Sequence, residues 1–137
     1  MNDTTQQNDT TQQRGGFFTI AAWQRADDLA VKVYQVTKSF PPDQRFGLTA
    51  QMQRAAVSVA ANLAEGSGQQ TLPNYIRFLY IAKGSRSEVE YYIHLSHRLG
   101  YLSASVHQQL QRLQRMTAGA LLGFIAFKEN QLQHRRD

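Results

Sequence analysis

The sequence predicts an all-α protein, an antiparallel up-down-up-down four-helix bundle. Apolar residues recur at steps of three and four through four separate segments, which is the spacing of one face of an α-helix. Short breaks that contain proline or glycine separate these segments, and short connections make neighbouring helices antiparallel. No segment alternates apolar and polar residues for long enough to predict a strand.

Composition divides the chain into three parts. Residues 1–18 are predicted to be a disordered low-complexity tail, because the hexapeptide NDTTQQ occurs twice in succession and contains no apolar residue to bury. Residues 19–132 are predicted to form the bundle. Residues 133–137 are expected to form a basic C-terminal tail, which suits the end of a helix.

The first helix is predicted to begin near Thr19 or Ala21. Its apolar side consists of residues at helical spacing, namely Ala26, Leu29, Ala30, Val33, Val36 and Phe40. Pro41 and Pro42 end it, because neither proline has the amide N–H that a helical hydrogen bond requires.

The second helix is predicted to begin between Asp43 and Thr49. It is expected to end at Gly66-Ser67-Gly68, where a glycine can adopt the left-handed conformation of a helix cap. One apolar stripe comprises Leu48, Met52, Ala55, Ala56, Val59 and Leu63.

The far side of the second helix is also unlike a solvent-facing surface. It carries Ala50, Val57, Ala61 and Ala64. Between Phe46 and Glu65 the only charges are Arg54 and Glu65, whereas an ordinary surface helix has a charged face. We therefore expect burial on nearly every side, either by a second copy of the chain, which we favour, or within a single bundle.

The third and fourth helices carry clear cap signals. Thr71 is the predicted cap of the third helix, with Pro73 in its first turn, and Gly100 lies just past its end at Leu99. Ser103 or Ser105 is the predicted cap of the fourth. Its apolar positions are Leu110, Leu113, Thr117, Ala120, Leu121, Phe124, Ile125 and Leu132.

Polar residues of the second and third helices are predicted to form a buried network. Its members are Arg54, Ser58, Asn62, Glu65, Ser85 and Glu88. Glu88 falls in an apolar arc of the third helix, formed by Phe78, Ile81, Ser85, Tyr92, Leu95 and Leu99. A buried carboxylate must be paired or protonated, so Arg54 is the expected partner. Gly84 is expected to let a neighbouring helix approach closely.

The network has two interpretations. It either fixes helix register or a subunit interface, or it lines a catalytic or ligand cavity. We favour the first, because no activated nucleophile, phosphate-binding glycine loop or histidine accompanies it, and no catalytic residue is assigned.

The histidines of the third helix are the other chemical candidates. Glu90, His94 and His97 share one side of that helix, near Lys83 and Arg86. A di-metal bundle needs Glu-x-x-His motifs on two helices, and the chain has none. It also has no cysteine. We therefore expect a solvated face, with no metal and no cofactor.

The positive net charge of the chain is compatible with a polyanionic partner but does not require one. Fifteen Lys and Arg residues against ten Asp and Glu residues give a net charge of +5. The candidate nucleic-acid surface comprises Arg77, Lys83, Arg86, Arg98, Arg112, Arg115, Lys128, Arg135 and Arg136. No apolar run approaches the ~18 residues of a membrane span and no leader is evident, so we expect a cytoplasmic protein without membrane contact.

The motifs of the first three helices resemble a known family. They are Trp23, Ala26 and Leu29; Phe40-Pro41; Gly47-Leu48; Gln51; Arg54 to Ser58; Asn62 to Gly66; and Phe78-Leu79, Ile81-Ala82, Gly84-Ser85 and Glu88. Over about residues 20–130 the chain resembles the bacterial four-helix bundle family of the 23S rRNA intervening-sequence proteins. That resemblance implies a homo-oligomer, most simply a ring of five bundles.

A more distant resemblance is to the accessory variability proteins of diversity-generating retroelements. It implies RNA or DNA, and a reverse transcriptase, as partners. We therefore expect a non-enzymatic homo-oligomer, with a pentamer favoured, that binds nucleic acid through a basic surface. The alternative is a protein–protein adaptor or scaffold with no nucleic-acid role, and an enzyme using Arg54 and Glu88 ranks last.

Overall fold

The computed structural model describes residues 15–136 of the chain, and the side chains as far as Arg135. The four helices are α1 (Ala21–Thr37), α2 (Leu48–Ser67), α3 (Leu72–Arg98) and α4 (Ala104–Arg136). Short 3-10 turns, Gly16–Thr19 and Pro42–Gln44, precede α1 and α2. The described part of the chain contains no strand, and the prediction of an all-α four-helix bundle is confirmed.

Each helix packs against two neighbours, which makes the bundle square in cross-section. α1 contacts α2 and α4, and α3 contacts the same two helices, whereas the diagonal pairs do not meet. The α2–α3 seam therefore lies opposite the α1–α4 seam. Fully buried side chains from all four helices fill the centre, among them Leu29, Val33, Met52, Val59, Leu63, Leu79, Val89, Ile93, Leu110 and Leu121.

The predicted apolar stripe of α2 is confirmed, but the role expected for its glycines is wrong. Gly68 is right-handed, with φ −88° and ψ 0°. Gly66 is buried inside the helix, and a Cβ placed there would lie 3.0 Å from Cβ of Phe78. The glycine is needed because α2 and α3 approach closely, not because the helix needs a left-handed cap.

The cap predictions for α3 and α4 are confirmed. The Thr71 hydroxyl accepts a hydrogen bond from the Asn74 amide at 3.4 Å, and the Ser103 hydroxyl accepts one from the Val106 amide at 3.2 Å. Gly100 follows α3 with φ +80°, a conformation in which other residues are strained. Gly100 and Ser103 lie in the tight turn that reverses the chain between the two longest helices.

Two predicted boundaries require correction. Phe17 and Phe18 belong to the first 3-10 turn, and their ring centroids lie 5.1 and 5.0 Å from that of Trp23. Stacking on Trp23 anchors this turn, so residues 16–18 belong to the folded domain, while the repeat in residues 1–14 lies outside the described residues. At the other end α4 continues to Arg136, so no separate tail begins at residue 133.

Candidate interaction surfaces

Three of the six predicted network residues come together at the α2–α3 seam. The hydroxyl oxygens of Ser58 and Ser85 lie 2.8 Å apart, and Ser85 is buried. Nδ2 of Asn62 donates to the backbone carbonyl of Ser58 at 2.8 Å and to its hydroxyl at 3.0 Å. The three side chains satisfy one another and tie α2 to α3.

The other three predicted members lie at the surface of the single chain. Arg54, Glu65 and Glu88 are all exposed. Among the described residues the ion pair is Arg86–Glu90, with Nη1 and Oε2 2.6 Å apart, and Arg54 forms none with Glu88. The expectation of a buried Arg54–Glu88 pair within one chain is therefore wrong.

The reason lies in the face that α3 presents to the core. α3 has two adjoining apolar arcs, and the one it buries comprises Leu72, Ile76, Leu79, Ala82, Val89 and Ile93. That arc contains no charged side chain, whereas the arc expected to be buried contains Glu88, whose desolvation would cost several kcal/mol or more. In the arc that was expected to be buried, Ile81 and Leu99 are exposed. A Cβ added at Gly84 would meet no neighbouring helix within 4 Å, so Gly84 is not a point of close approach between helices of one chain.

The outer face of α2, defined here as Ala50, Arg54, Val57, Ala61, Ala64 and Glu65, is half or fully exposed. Val57 retains 42% of its surface, and exposed side chains on α1 add to the apolar area, with Val31 at 51% and Tyr34 at 46%. Arg54 and Glu65 are the only charges on this face. An exposed, weakly charged surface of this kind is typical of a protein–protein contact.

The histidines do not assemble into a metal site. The rings of His97 and His107 stack with centroids 3.8 Å apart and planes 10° apart, and Gln111 bonds Nε2 of His107 at 3.3 Å. Partial burial lowers the pKa of His107, and the nearby charges of His97, His94 and Arg115 lower it further. Glu90, a candidate ligand, is held by Arg86. Within the described residues no three His, Cys, Asp or Glu side chains converge as a metal would require.

The nine residues predicted to form a basic surface differ in their exposure and in their partners. Six are exposed, namely Arg77, Lys83, Arg98, Arg112, Arg115 and Arg135. Arg86 is half-buried and donates to Glu90 and to Oε1 of Gln114 at 2.7 Å. Nζ of Lys128 lies 4.8 Å from the ring centroid of Tyr75 and 5.4 Å from that of Phe124. The side chain of Arg136 is outside the described part.

A basic groove runs along the α1–α4 seam. Arg25 and Lys32 of α1 and Arg112 of α4 line an open cavity of about 350 Å³, together with Gln109, Leu113 and Met116. Of these cations only Arg112 was in the predicted set. The sequence does carry a signal for the other two, because Arg25 and Lys32 are seven residues apart and share one side of a helix.

The structure is that of an all-α four-helix bundle protein with exposed apolar side chains and a cation-lined groove. The family model described as 23S rRNA-intervening sequence protein matches residues 19–121, and the chain belongs to that family. The resemblance found in the sequence is thereby confirmed. No curated protein matches the sequence.

A solved structure has the same fold. It is a protein with unknown function from the S23 ribosomal protein family of Bacteroides thetaiotaomicron VPI-5482, with a TM-score of 0.71 and 23% sequence identity. The similarity covers 77% of this chain and 98% of that chain. Neither the family description nor that of the neighbour names an enzymatic activity. Along residues 15–136, no helix combines the length and apolarity needed to cross a membrane.

Proposed function

We propose that the protein is a non-enzymatic cytoplasmic scaffold that assembles from identical copies, with five favoured, and binds nucleic acid through its basic surface. The observation that carries the assembly is the outer face of α2. It combines exposed apolar side chains, Val57 above all, with only two charges of opposite sign. Covering it with another copy would remove apolar area from water at little cost in desolvated charge.

The exposed charges also suit a contact between copies. Arg54 and Glu88 are exposed and form no ion pair with each other within one chain. A head-to-tail contact places different surfaces of two copies together, and it closes into a ring when the rotation allows. Such a contact would pair Arg54 of one copy with a carboxylate of the next copy. The family resemblance implies a ring of five copies.

The nucleic-acid part of the proposal is supported by charge. The chain has a net charge of +5, and most of the predicted basic residues are exposed. Assembly would concentrate this charge, and a polyanion gains affinity by releasing counterions when Lys and Arg neutralise its phosphates. Such binding would show little sequence preference.

The alternative function is a protein adaptor, for which a reverse transcriptase is the partner implied by the distant resemblance. Exposed Leu122 and Phe127 favour this alternative, because large apolar side chains at the surface are typical of protein contacts. Both lie beyond residue 121, where the family match ends.

Assembly is tested by sedimentation or light scattering of the full chain. The parent is expected to have about five times the chain mass of 15.6 kDa. Val57→Lys should reduce the mass to that of a monomer, because it places a charge in the contact. Leu122→Lys is the matched control, since Leu122 is an apolar residue of similar exposure on α4, and it should leave the mass unchanged. A monomeric parent at micromolar concentration would refute the assembly.

Nucleic-acid binding is tested by filter binding at low salt with a structured RNA and a duplex DNA. Affinity should fall steeply as salt rises. If the protein is oligomeric but binds neither nucleic acid, the adaptor becomes the better function.

A further inference from the structure

The groove at the α1–α4 seam contains three cations that have no carboxylate partner among residues 15–135. Arg25 and Lys32 project from α1 and Arg112 from α4 into the same cavity of about 350 Å³. Asp28 lies one turn from both α1 cations but forms an ion pair with neither. The three cations therefore keep their side-chain donors free of ion pairs within this part of the chain.

Several other basic residues have partners within the chain, whereas the cations of the groove form no ion pair among the described residues. Arg86 is bound to Glu90 and Gln114, and Lys128 lies over three aromatic rings. In the groove the donors remain available to a ligand, five N–H groups for each guanidinium and three for the ammonium. Guanidinium groups in particular match the oxygens of a phosphate with two parallel hydrogen bonds.

The groove is elongated along the helices. Lys32 also lines a second cavity of about 370 Å³ that reaches Ser39 at the end of α1 and Ser103 at the start of α4. Seven residues of α-helix separate Arg25 from Lys32, which is roughly 10 Å along the axis. That distance is longer than one phosphate group, so Arg25 and Lys32 can contact successive phosphates of one strand. A linear phosphodiester matches this shape better than a single small anion does.

The groove also lies on the opposite side of the bundle from the α2–α3 seam, because the four helices form a square. The outer face of α2 shares no residue with this groove. We infer that the α1–α4 groove binds the phosphate backbone of a nucleic acid, with Arg25, Lys32 and Arg112 as the contacting residues. This inference rests on the proposed function and names the site through which that function acts.

The test compares two triple variants of the full chain that remove the same charge. The groove variant is Arg25→Gln, Lys32→Gln and Arg112→Gln, and the control is Arg77→Gln, Lys83→Gln and Arg98→Gln on exposed α3 positions. A labelled RNA hairpin and a labelled 30-base-pair DNA are titrated at several salt concentrations. Light scattering and thermal melting establish that each variant keeps the parent's mass and fold.

The groove variant should lose at least about tenfold in affinity near 0.1 M salt, and its log–log salt slope should flatten by about two to three. The control residues belong to the predicted basic surface but do not line the groove, so this variant should lose less affinity than the groove variant. A charge-retaining variant, Arg25→Lys with Arg112→Lys, should keep the parent's salt slope, which identifies charge and not folding as the cause.

The outcomes separate the site from the function. If the parent binds and both triple variants weaken equally, the groove assignment is wrong while the proposed function stands. If the parent binds neither nucleic acid, the proposed function fails and the groove assignment with it. If poly-glutamate displaces labelled RNA from the protein as well as unlabelled RNA of equal charge does, the assignment to a phosphate backbone is wrong.

Discussion

Polar side chains are arranged differently at the two opposite seams of the bundle. At the α2–α3 seam small residues of α2 allow close contact: the hydroxyls of Ser58 and Ser85 meet at 2.8 Å, and the buried Gly66 packs against Phe78 and Tyr75. At the α1–α4 seam the side chains are long and cationic, and cavities of about 350 and 370 Å³ remain between the helices.

The comparison teaches that side-chain size at a helix seam decides what the seam can do. Small residues bring two backbones together, so that packing and short hydrogen bonds fill the space and no ligand can enter. Long charged residues keep their heads in water and hold the seam open. One seam of this bundle is therefore closed by packing, whereas the other keeps open space lined by cations.

The largest effect is expected from breaking the close approach at Gly66. Gly66→Ala places a carbon 3.0 Å from Cβ of Phe78 and 3.1 Å from Cδ1 of Tyr75, and a Cβ cannot move without its backbone. The strain should exceed the ~1 kcal/mol that alanine gains over glycine in a helix. We expect a net loss of about 1–2 kcal/mol in the free energy of unfolding, measured with urea at one protein concentration.

Gly119→Ala is the matched control for that substitution. Gly119 lies inside α4 and nothing is within 4 Å of an added Cβ. This variant should gain about 0.5–1 kcal/mol. Equal stabilisation by both alanines would show that α2 and α3 do not pack as closely as described.

A smaller effect is expected from the serine pair of the same seam. Ser58→Ala and Ser85→Ala each remove one side of the 2.8 Å contact and should each cost about 1 kcal/mol. The double variant should cost less than the sum, with a coupling of about 0.5–1 kcal/mol. Ser87→Ala, at an exposed position of α3, should stay within about 0.5 kcal/mol of the parent. Strict additivity of the serine variants would mean that the two hydroxyls do not interact.

The sequence predicted the helices well because their signals are local. Prolines, glycines and capping hydroxyls act within a few residues of themselves, and Thr71, Gly100 and Ser103 all do what their positions indicated. The Ser58–Ser85 contact was also predictable, because small polar residues recur on facing stripes of two adjacent helices.

The remaining features depend on packing between distant parts of the chain. α3 has two adjoining apolar arcs, and the periodicity alone does not say which one faces the core, so Glu88 was placed inside. The basic groove depends on α1 lying beside α4, about 80 residues later, which brings Arg112 to Arg25 and Lys32. The packing of α1 against α4 is a tertiary contact, and the charges along a single helix do not reveal it.

The smallest effect concerns a third seam, between α3 and α4, where the rings of His97 and His107 stack. Partial burial and then the charges of His97, His94 and Arg115 lower the pKa of His107. The folded chain therefore binds protons less readily than the unfolded chain, and the contribution of this site to stability is complete above the unfolded pKa of about 6.5. It is lost as the pH falls below that value and through the folded pKa.

We expect His107→Gln to remove this part of the pH dependence of the melting temperature. Because the site is largely open to solvent, the difference between parent and variant should be small, roughly 1–2 °C between pH 7.5 and pH 5. His134→Gln is the control, since His134 is exposed near the end of α4 and bonds to the backbone carbonyl of Asn130. It should melt in parallel with the parent at every pH. A parent and a His107→Gln variant that lose stability equally on acidification would show that stacking at this seam does not couple to protonation.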